Sequence, residues 1–176
     1  MNNELTLIPL LDGRSVSIRS ITPEDGASLV RFHNGLTDET TRRRFFVVRR
    51  TLSAAEVTRF TNVDHVDREA LVALNGADIV AVGRYDLLAD SLDAEIAFVV
   101  ADDWQGEGIA TYLLKQLARR ARAVGITRFV ADTLSENYGM RDVFIRSGLP
   151  ASSKAEADVV RVVLNLGREA HPALYS

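Results

Sequence analysis

The chain has 176 residues, no cysteine and a formal net charge of −3. That length bounds it to one domain with a sizeable core, and the missing thiols exclude disulfides, thiolate catalysis and cysteine-based metal sites. Composition is that of a globular protein, 47% hydrophobic and 26% charged, with no run near the roughly 20 apolar residues that cross a bilayer. Neither a global basic field for nucleic acid nor the basic n-region of a signal peptide is present, so the expectation is a cytoplasmic protein with no nucleic-acid or membrane partner.

Ser15-Val16-Ser17-Ile18-Arg19 alternates with period two and predicts a strand. Thr22-Pro23-Glu24-Asp25 is a helix start, with proline and acids in the first turn, and that helix turns Leu29, Val30 and Phe32 inward before stopping near Gly35. The run Arg42-Arg43-Arg44-Phe45-Phe46-Val47-Val48-Arg49-Arg50 has two readings. One is a helix end and connection with solvated arginines; the other is a rim that receives an acidic substrate surface or a cofactor phosphate. Ser53-Ala54-Ala55-Glu56 is a capping box leading into Val57 and Phe60.

Ala70–Leu74 and Ile79–Tyr85 flank Asn75-Gly76, which predicts a hairpin, and Glu95–Val100 is the next strand. A long helix follows, its apolar stripe Ile109, Leu113, Leu117, Ala121 and Val124 ended by Gly125. Ile126–Ala131 is a strand, a helix runs from Ser135 or Glu136 to Arg146, and Val159–Leu166 is a last strand. The order β-α-α-β-β-β-α-β-α-β predicts a single α/β (α+β) domain over residues 1–176, core 14–166. Its mixed central sheet would have about 6–7 strands with helices on both faces.

The turn between the strand and the long helix is the most chemical part of the chain. Gln105-Gly106-Glu107-Gly108-Ile109-Ala110 places free backbone N–H groups at a helix start, where the amides and the helix dipole favour a phosphate. Gly106 and Gly108 permit close approach or unusual backbone angles. Glu107 is expected to point outward, because its carboxylate would repel a phosphate.

With Gln105, Gly108 and Ala110 at the start of this helix, the sequence resembles the GNAT N-acetyltransferases, whose signature is Gln/Arg-x-x-Gly-x-Gly/Ala. Element order and Ser135-Glu136-Asn137 beyond the next strand agree, over residues 14–166. A narrower likeness, to bacterial Pat-type protein lysine acetyltransferases, rests on several stretches. They are Arg19–Asp25, Arg44-Phe45-Phe46, Asp64–Ala73, Gly83-Arg84-Tyr85 and Asp93–Val100. Some proteins of that group carry a regulatory domain that binds a cyclic nucleotide or an amino acid. This chain is too short for one, so it is expected to be a stand-alone enzyme or an excised domain.

The resemblance implies an acyltransferase with acetyl-CoA as acetyl donor and no metal. The cofactor-binding set would be Phe98, Val99, Val100, Gln105, Gly106, Glu107, Gly108, Ile109, Ala110 and Asn137. The strand end 98–101 would pair with the pantetheine amides. A lysine amine near pKa 10.4 needs a base, and Glu95 matches the glutamate that serves in the Pat-type group. On the residues alone, Glu95 heads an apolar strand in phase with Ala97 and Val99, where burial would raise its pKa; otherwise it faces water or pairs with Arg84. Asn137 binds the cofactor, caps the helix, or does both.

Two departures stand out. Phe144 occupies the place where many GNAT enzymes have a tyrosine general acid, as is common in the Pat-type group, and Gly148-Leu149-Pro150 replaces the usual Gly-Phe. His33, His65 and His171 lack metal-ligand spacing; His65 is a loop histidine or lines the acceptor pocket. Trp104 and Phe98 read as packing residues. The leading expectation is acetylation of protein lysines by direct attack in a ternary complex, by a monomer or homodimer. Acetylation of a small amine is the alternative, and a non-catalytic acyl-CoA-binding module the second.

Overall fold

A computed structural model of the protein describes residues 4–167; His171 lies outside them. One sheet of eight strands runs through the described residues in the order β1-β2-β3-β4-β5-β6-β8-β7. The strands are β1 (Thr6–Pro9), β2 (Ser15–Ser20), β3 (Arg68–Asn75), β4 (Asp78–Leu87), β5 (Asp93–Val100), β6 (Arg128–Leu134), β7 (Ala151–Glu156) and β8 (Val159–Asn165). Every neighbouring pair is antiparallel except β5 and β6. The helices are α1 (Gly26–Asn34), α2 (Asp38–Phe45), α3 (Ala54–Thr61), α4 (Ile109–Ala123) and α5 (Tyr138–Arg146).

The sheet has more strands than the sequence suggests. β1 buries only Ile8, and Ala-Ser-Ser-Lys-Ala-Glu of β7 is exposed throughout. Neither shows apolar alternation, because edge strands need only a pairing partner. The helix α2 supplies the helix end that one reading of the arginine run gave, but it adds an element to the expected order: its Asp-Glu-Thr-Thr-Arg-Arg-Arg-Phe sequence has no apolar stripe and buries only Thr40 and Thr41. Its start was nonetheless written in the chain, with Thr37 accepting from the Thr40 N–H and acids in the first turn.

Elsewhere local chemistry and structure agree. Thr22 and Asp25 make a capping box at the 3-10 turn Pro23–Asp25 that leads into α1, and Ser53 and Glu56 make one at α3. The β3–β4 hairpin forms, with Gly76-Ala77 as the two-residue turn, since Asn75 pairs with Asp78. In α4 the buried stripe is Ile109, Ala110, Leu113, Leu114, Leu117, Ala118 and Ala121, while Val124 is exposed at the cap. Burying each of Ile109, Leu113, Leu114 and Leu117 is worth about 1.5–3 kcal/mol before ordering costs.

Two cores result, one on each face of the sheet. α4 and α5 cover Tyr85, Ile96, Phe98, Phe129 and Leu164, and α1 and α3 cover Ile21, Val72, Ile79 and Val82. A buried polar group joins the faces near β3. Glu69 accepts from Arg120 Nη1 of α4 (2.8 Å), which also donates to Ser20 Oγ (2.6 Å), and His65 Nδ1 lies 3.0 Å from the same carboxylate.

What positions the site is the parting of β5 and β6. They pair in parallel only from Asp93↔Arg128 to Glu95↔Val130. Beyond Glu95 the two strands separate, and α4, fed by the turn after β5, fills one side of the gap.

Candidate active site

The gap opens into a cavity of about 360 Å³ lined by β5, β6, α2, α4 and α5. At one end stand Gln105, Gly106, Gly108, Ile109, Ala110 and Thr111; at the other stands Glu95, at the point where the strands part. Gly106 and Gly108 have φ of 78° and 89°, a left-handed conformation that glycine adopts without Cβ strain. The first helical bond of α4 runs from Tyr112 N–H to the Gly108 carbonyl. The N–H groups of Ile109, Ala110 and Thr111 are therefore unclaimed and point out of the helix N-terminus.

The β5 wall is an unpaired strand edge. Ala101 N–H donates to the Val80 carbonyl (2.8 Å), and antiparallel alternation then turns the backbone groups of Phe98 and Val100 away from β4, toward the gap. The Val100 carbonyl accepts from Gln105 Nε2 (3.0 Å). The N–H of Val100 and both groups of Phe98 are left for a ligand with amides of its own.

Of the residues expected at the cofactor site, Phe98, Val99, Val100, Gln105, Gly106, Gly108, Ile109, Ala110 and Asn137 all line this cavity. Glu107 does not; its half-buried side chain stays out of it, as expected of a carboxylate at a phosphate cradle. The side chain of Gln105 has a structural task, bridging Val100 and Thr40 Oγ1 (3.3 Å). Asn137 caps α5, accepting from Met140 N–H (3.2 Å). Phe144 is buried in the cavity wall, and Tyr138 is exposed outside it.

Glu95 departs from expectation in one respect. It is exposed to the cavity and solvent rather than buried. The physical reason is its face of the sheet: Glu95 shares the face of Ala97 and Val99, and the core on that side packs against Val99 and Ala101 farther along without reaching Glu95. Nor does it pair with Arg84, whose Nε donates to Asp86 (3.2 Å). His65 lies on Glu69, away from the cavity, and buried His33 faces the Arg49 carbonyl through Nε2 (2.9 Å).

The sequence did not foresee α2 as the roof of the cavity. Asp102, just after β5, accepts from Thr37 Oγ1 and Thr40 Oγ1, both at 2.9 Å, and holds the N-terminus of α2 over the turn. Burial works against the Asp102 charge, but these hydroxyl hydrogen bonds together hold its pKa below the usual range. Further along, Arg42 pairs with Glu136 ahead of α5. Most of the arginine run is thus ion-paired, Arg43 with Glu39, Arg49 with Glu56 and Arg50 with Asp38.

Thr133 on β6 was also missed. It is 2% exposed, lines the cavity, and its Oγ1 has no hydrogen-bond partner among the described residues. A buried hydroxyl without a partner is costly, and a ligand amide in the gap would satisfy it. The amide cradle, the free strand edge and this hydroxyl together suit a long ligand with a phosphate at one end and peptide-like groups along it.

The acetyltransferase (GNAT) family profile matches residues 36–149. A relative called acetyltransferase Pat, from Mycolicibacterium smegmatis, is 34% identical over 134 residues, which cover 74% of this chain and 40% of the relative. The chain thus spans about two fifths of that relative's length. The crystal structure of the GNAT domain of S. lividans PAT is 38% identical, with TM-score 0.84, covering 92% of this chain and 96% of that one. The fold is shared by yncA of Salmonella typhimurium, solved with its cofactor acetyl-CoA, at 17% identity and TM-score 0.71, covering 90% and 98%. With the family profile spanning the α2 roof, the parted strands and the amide cradle, this chain belongs to the GNAT family of acetyltransferases.

Proposed function

We propose that the protein transfers the acetyl group of acetyl-CoA to lysine side chains of proteins, in a ternary complex with Glu95 as general base. The observation that carries this reading is the carboxylate of Glu95 at the head of the gap, without an ion pair among the described residues, beside a strand edge whose amides have no partner among them. When bound, acetyl-CoA supplies a thioester acyl group. The N–H groups of residues 106–111 hold the pyrophosphate. Phe98 and Val100 pair with the pantetheine amides and leave an N–H donor for the oxyanion that develops on the acyl carbonyl. Glu95, directly or through one water, accepts the proton the amine loses as its nitrogen bonds to the acyl carbon; the carbon–sulfur bond then breaks and the CoA thiolate leaves, to be protonated by solvent. Phe144 has no proton to give at this wall.

A macromolecular acceptor is supported by the surroundings of Glu95. The carboxylate is exposed, and the α2 roof ends in the exposed apolar residues Phe46, Val47 and Val48, a surface that an acceptor protein would cover. The test is incubation with acetyl-CoA, a soluble proteome and a panel of small amines, read by mass spectrometry. Acetylated protein lysines are expected. Exclusive modification of a small amine would overturn the acceptor, and no product at all would leave a binding module. Saturating acetyl-CoA is also expected to raise the melting temperature, because it binds the native state alone.

A further inference from the structure

Arg44, in the last turn of α2, is the member of the arginine run that has no ion pair among the described residues. Its guanidinium stacks on the Phe45 ring at 4.7 Å and lines the main cavity at the Glu95 end. It also lines a second cavity of about 40 Å³, between α1, α3 and the sheet, where Arg84 joins it. Enclosure, with the Arg84 charge beside it, pushes its pKa down to about 10, and Glu95 and Asp86 oppose this only in part.

Arg84 gives an independent sign. It is 6% exposed, with Nε on Asp86 and the guanidinium 4.5 Å from the Phe60 ring. Its Nη2 is buried with no acceptor among the described residues. Asp86 is shared with Arg59 and Arg68, at 3.2 and 3.0 Å on Oδ1, and takes only the Nε of Arg84 on Oδ2. Arg84 sits across from Ala97, one step along the same face from Asp86↔Glu95. Two incompletely satisfied guanidiniums therefore share one small, mostly apolar cavity beside the base.

We propose that Arg44 and Arg84 form a carboxylate subsite next to Glu95, so that the preferred acceptor carries an acid group close to its amine. This rests on the acetyl-transfer reading. A carboxylate brings two oxygens to donors that lack acceptors, and guanidinium–carboxylate pairing is the strong, geometrically matched form of that bond. It also removes an obstacle, because Arg44 beside Glu95 repels an incoming ammonium. An acceptor that brings its own negative charge neutralises Arg44 as its amine reaches the base. The acid group has two sources, an aspartate or glutamate beside the acceptor lysine, or the carboxylate of a free amino acid.

The experiment measures kcat/KM by CoA release for matched acceptors. Lysine peptides with flanking Asp or Glu are compared with their Asn or Gln counterparts, and free amino acids with their amides. The acid of each productive pair is expected to win by about tenfold or more. The ratio should fall toward one in Arg44→Gln and recover in part in Arg44→Lys. Equal use of acid and amide, or a preference that survives Arg44→Gln, overturns the subsite. Preference within peptides or within amino acids names the source. A second measurement needs no turnover. Glutarate should stabilise the wild type against heat beyond chloride of equal ionic strength or glutaramide, and not Arg44→Gln. Absence of that stabilisation also overturns the subsite, whereas stabilisation with no amine acetylated overturns only the proposed reaction.

Discussion

Asp86 and Glu95 stand directly opposite each other on β4 and β5, yet only one of them is neutralised. Asp86 lies within 3.0–3.2 Å of Arg59, Arg68 and Arg84, while Glu95 makes no ion pair among the described residues. Two carboxylates on one face would repel. Here the arginines gather on the one nearer α3 and leave the other free at the cavity. Replacing Glu95 with Gln keeps size and removes the proposed base. Acetylation is expected to fall by about 10²–10⁴-fold, with stabilisation by acetyl-CoA unchanged. Full activity in Glu95→Gln would remove Glu95 from the mechanism.

Asp102 fastens the α2 roof to the turn that leads into α4, through Thr37 and Thr40. Asp102→Ala takes the acceptor from both hydroxyls and from the Thr37 N–H. A loss of about 1–3 kcal/mol is expected, together with weaker acetyl-CoA binding in calorimetry. An unchanged dissociation constant would mean that the roof does not order the cradle.

Gly108 enters α4 with φ of 89°, and a Cβ there would meet no protein atom within 4 Å. Any penalty for Gly108→Ala is thus backbone strain, on the order of 1–2 kcal/mol. For a chain of this size that is about 2–8 °C in melting temperature. Because the strain falls on the amide cradle, binding of acetyl-CoA should weaken as well.

Gly83 fails for the opposite reason. A Cβ on it would come within 2.8 Å of Phe98 Cδ1 and 3.2 Å of Leu113 Cβ. Gly83→Ala therefore pushes on the β5 wall of the cavity and on α4 at once. Overpacking of this kind costs about 1–3 kcal/mol, to be checked by chemical denaturation alongside the kinetics.

Asp25 is the acid-sensitive point of the α1 side. The Arg19 guanidinium, at 2.7 Å to both carboxylate oxygens, holds its pKa below the ordinary 3.8, against the effect of burial. A carboxyl whose pKa is lower folded than unfolded contributes stability fully above the unfolded value and loses it as pH falls through the folded one. The wild type should therefore lose its advantage over Asp25→Asn as pH falls below about 4. A stability difference that is flat from pH 7 to pH 2 would contradict the assignment.

Much of this could be read along the chain because it is local. Caps, the β3–β4 hairpin, the α4 stripe and the glycines of the cradle are set by residues a few positions apart, and there sequence and structure agree. The elements that escaped reading, β1, β7 and α2, carry no apolar period of their own. They exist because β2, β8 and Asp102 pair with them.

At the site the same division holds. The amide cradle is local, since the Gln105–Ala110 turn needs only its own backbone to present free amides. The Glu95 end takes its character from tertiary packing. Whether Glu95 is buried depends on how far the core on its face of the sheet reaches along β5. Whether an arginine is held by a carboxylate or left for a ligand depends on pairings between residues far apart in the chain, Arg42 with Glu136 and Arg68 with Asp86, and none among the described residues for Arg44. Coulomb energy follows distance in space, and spacing in sequence does not give it.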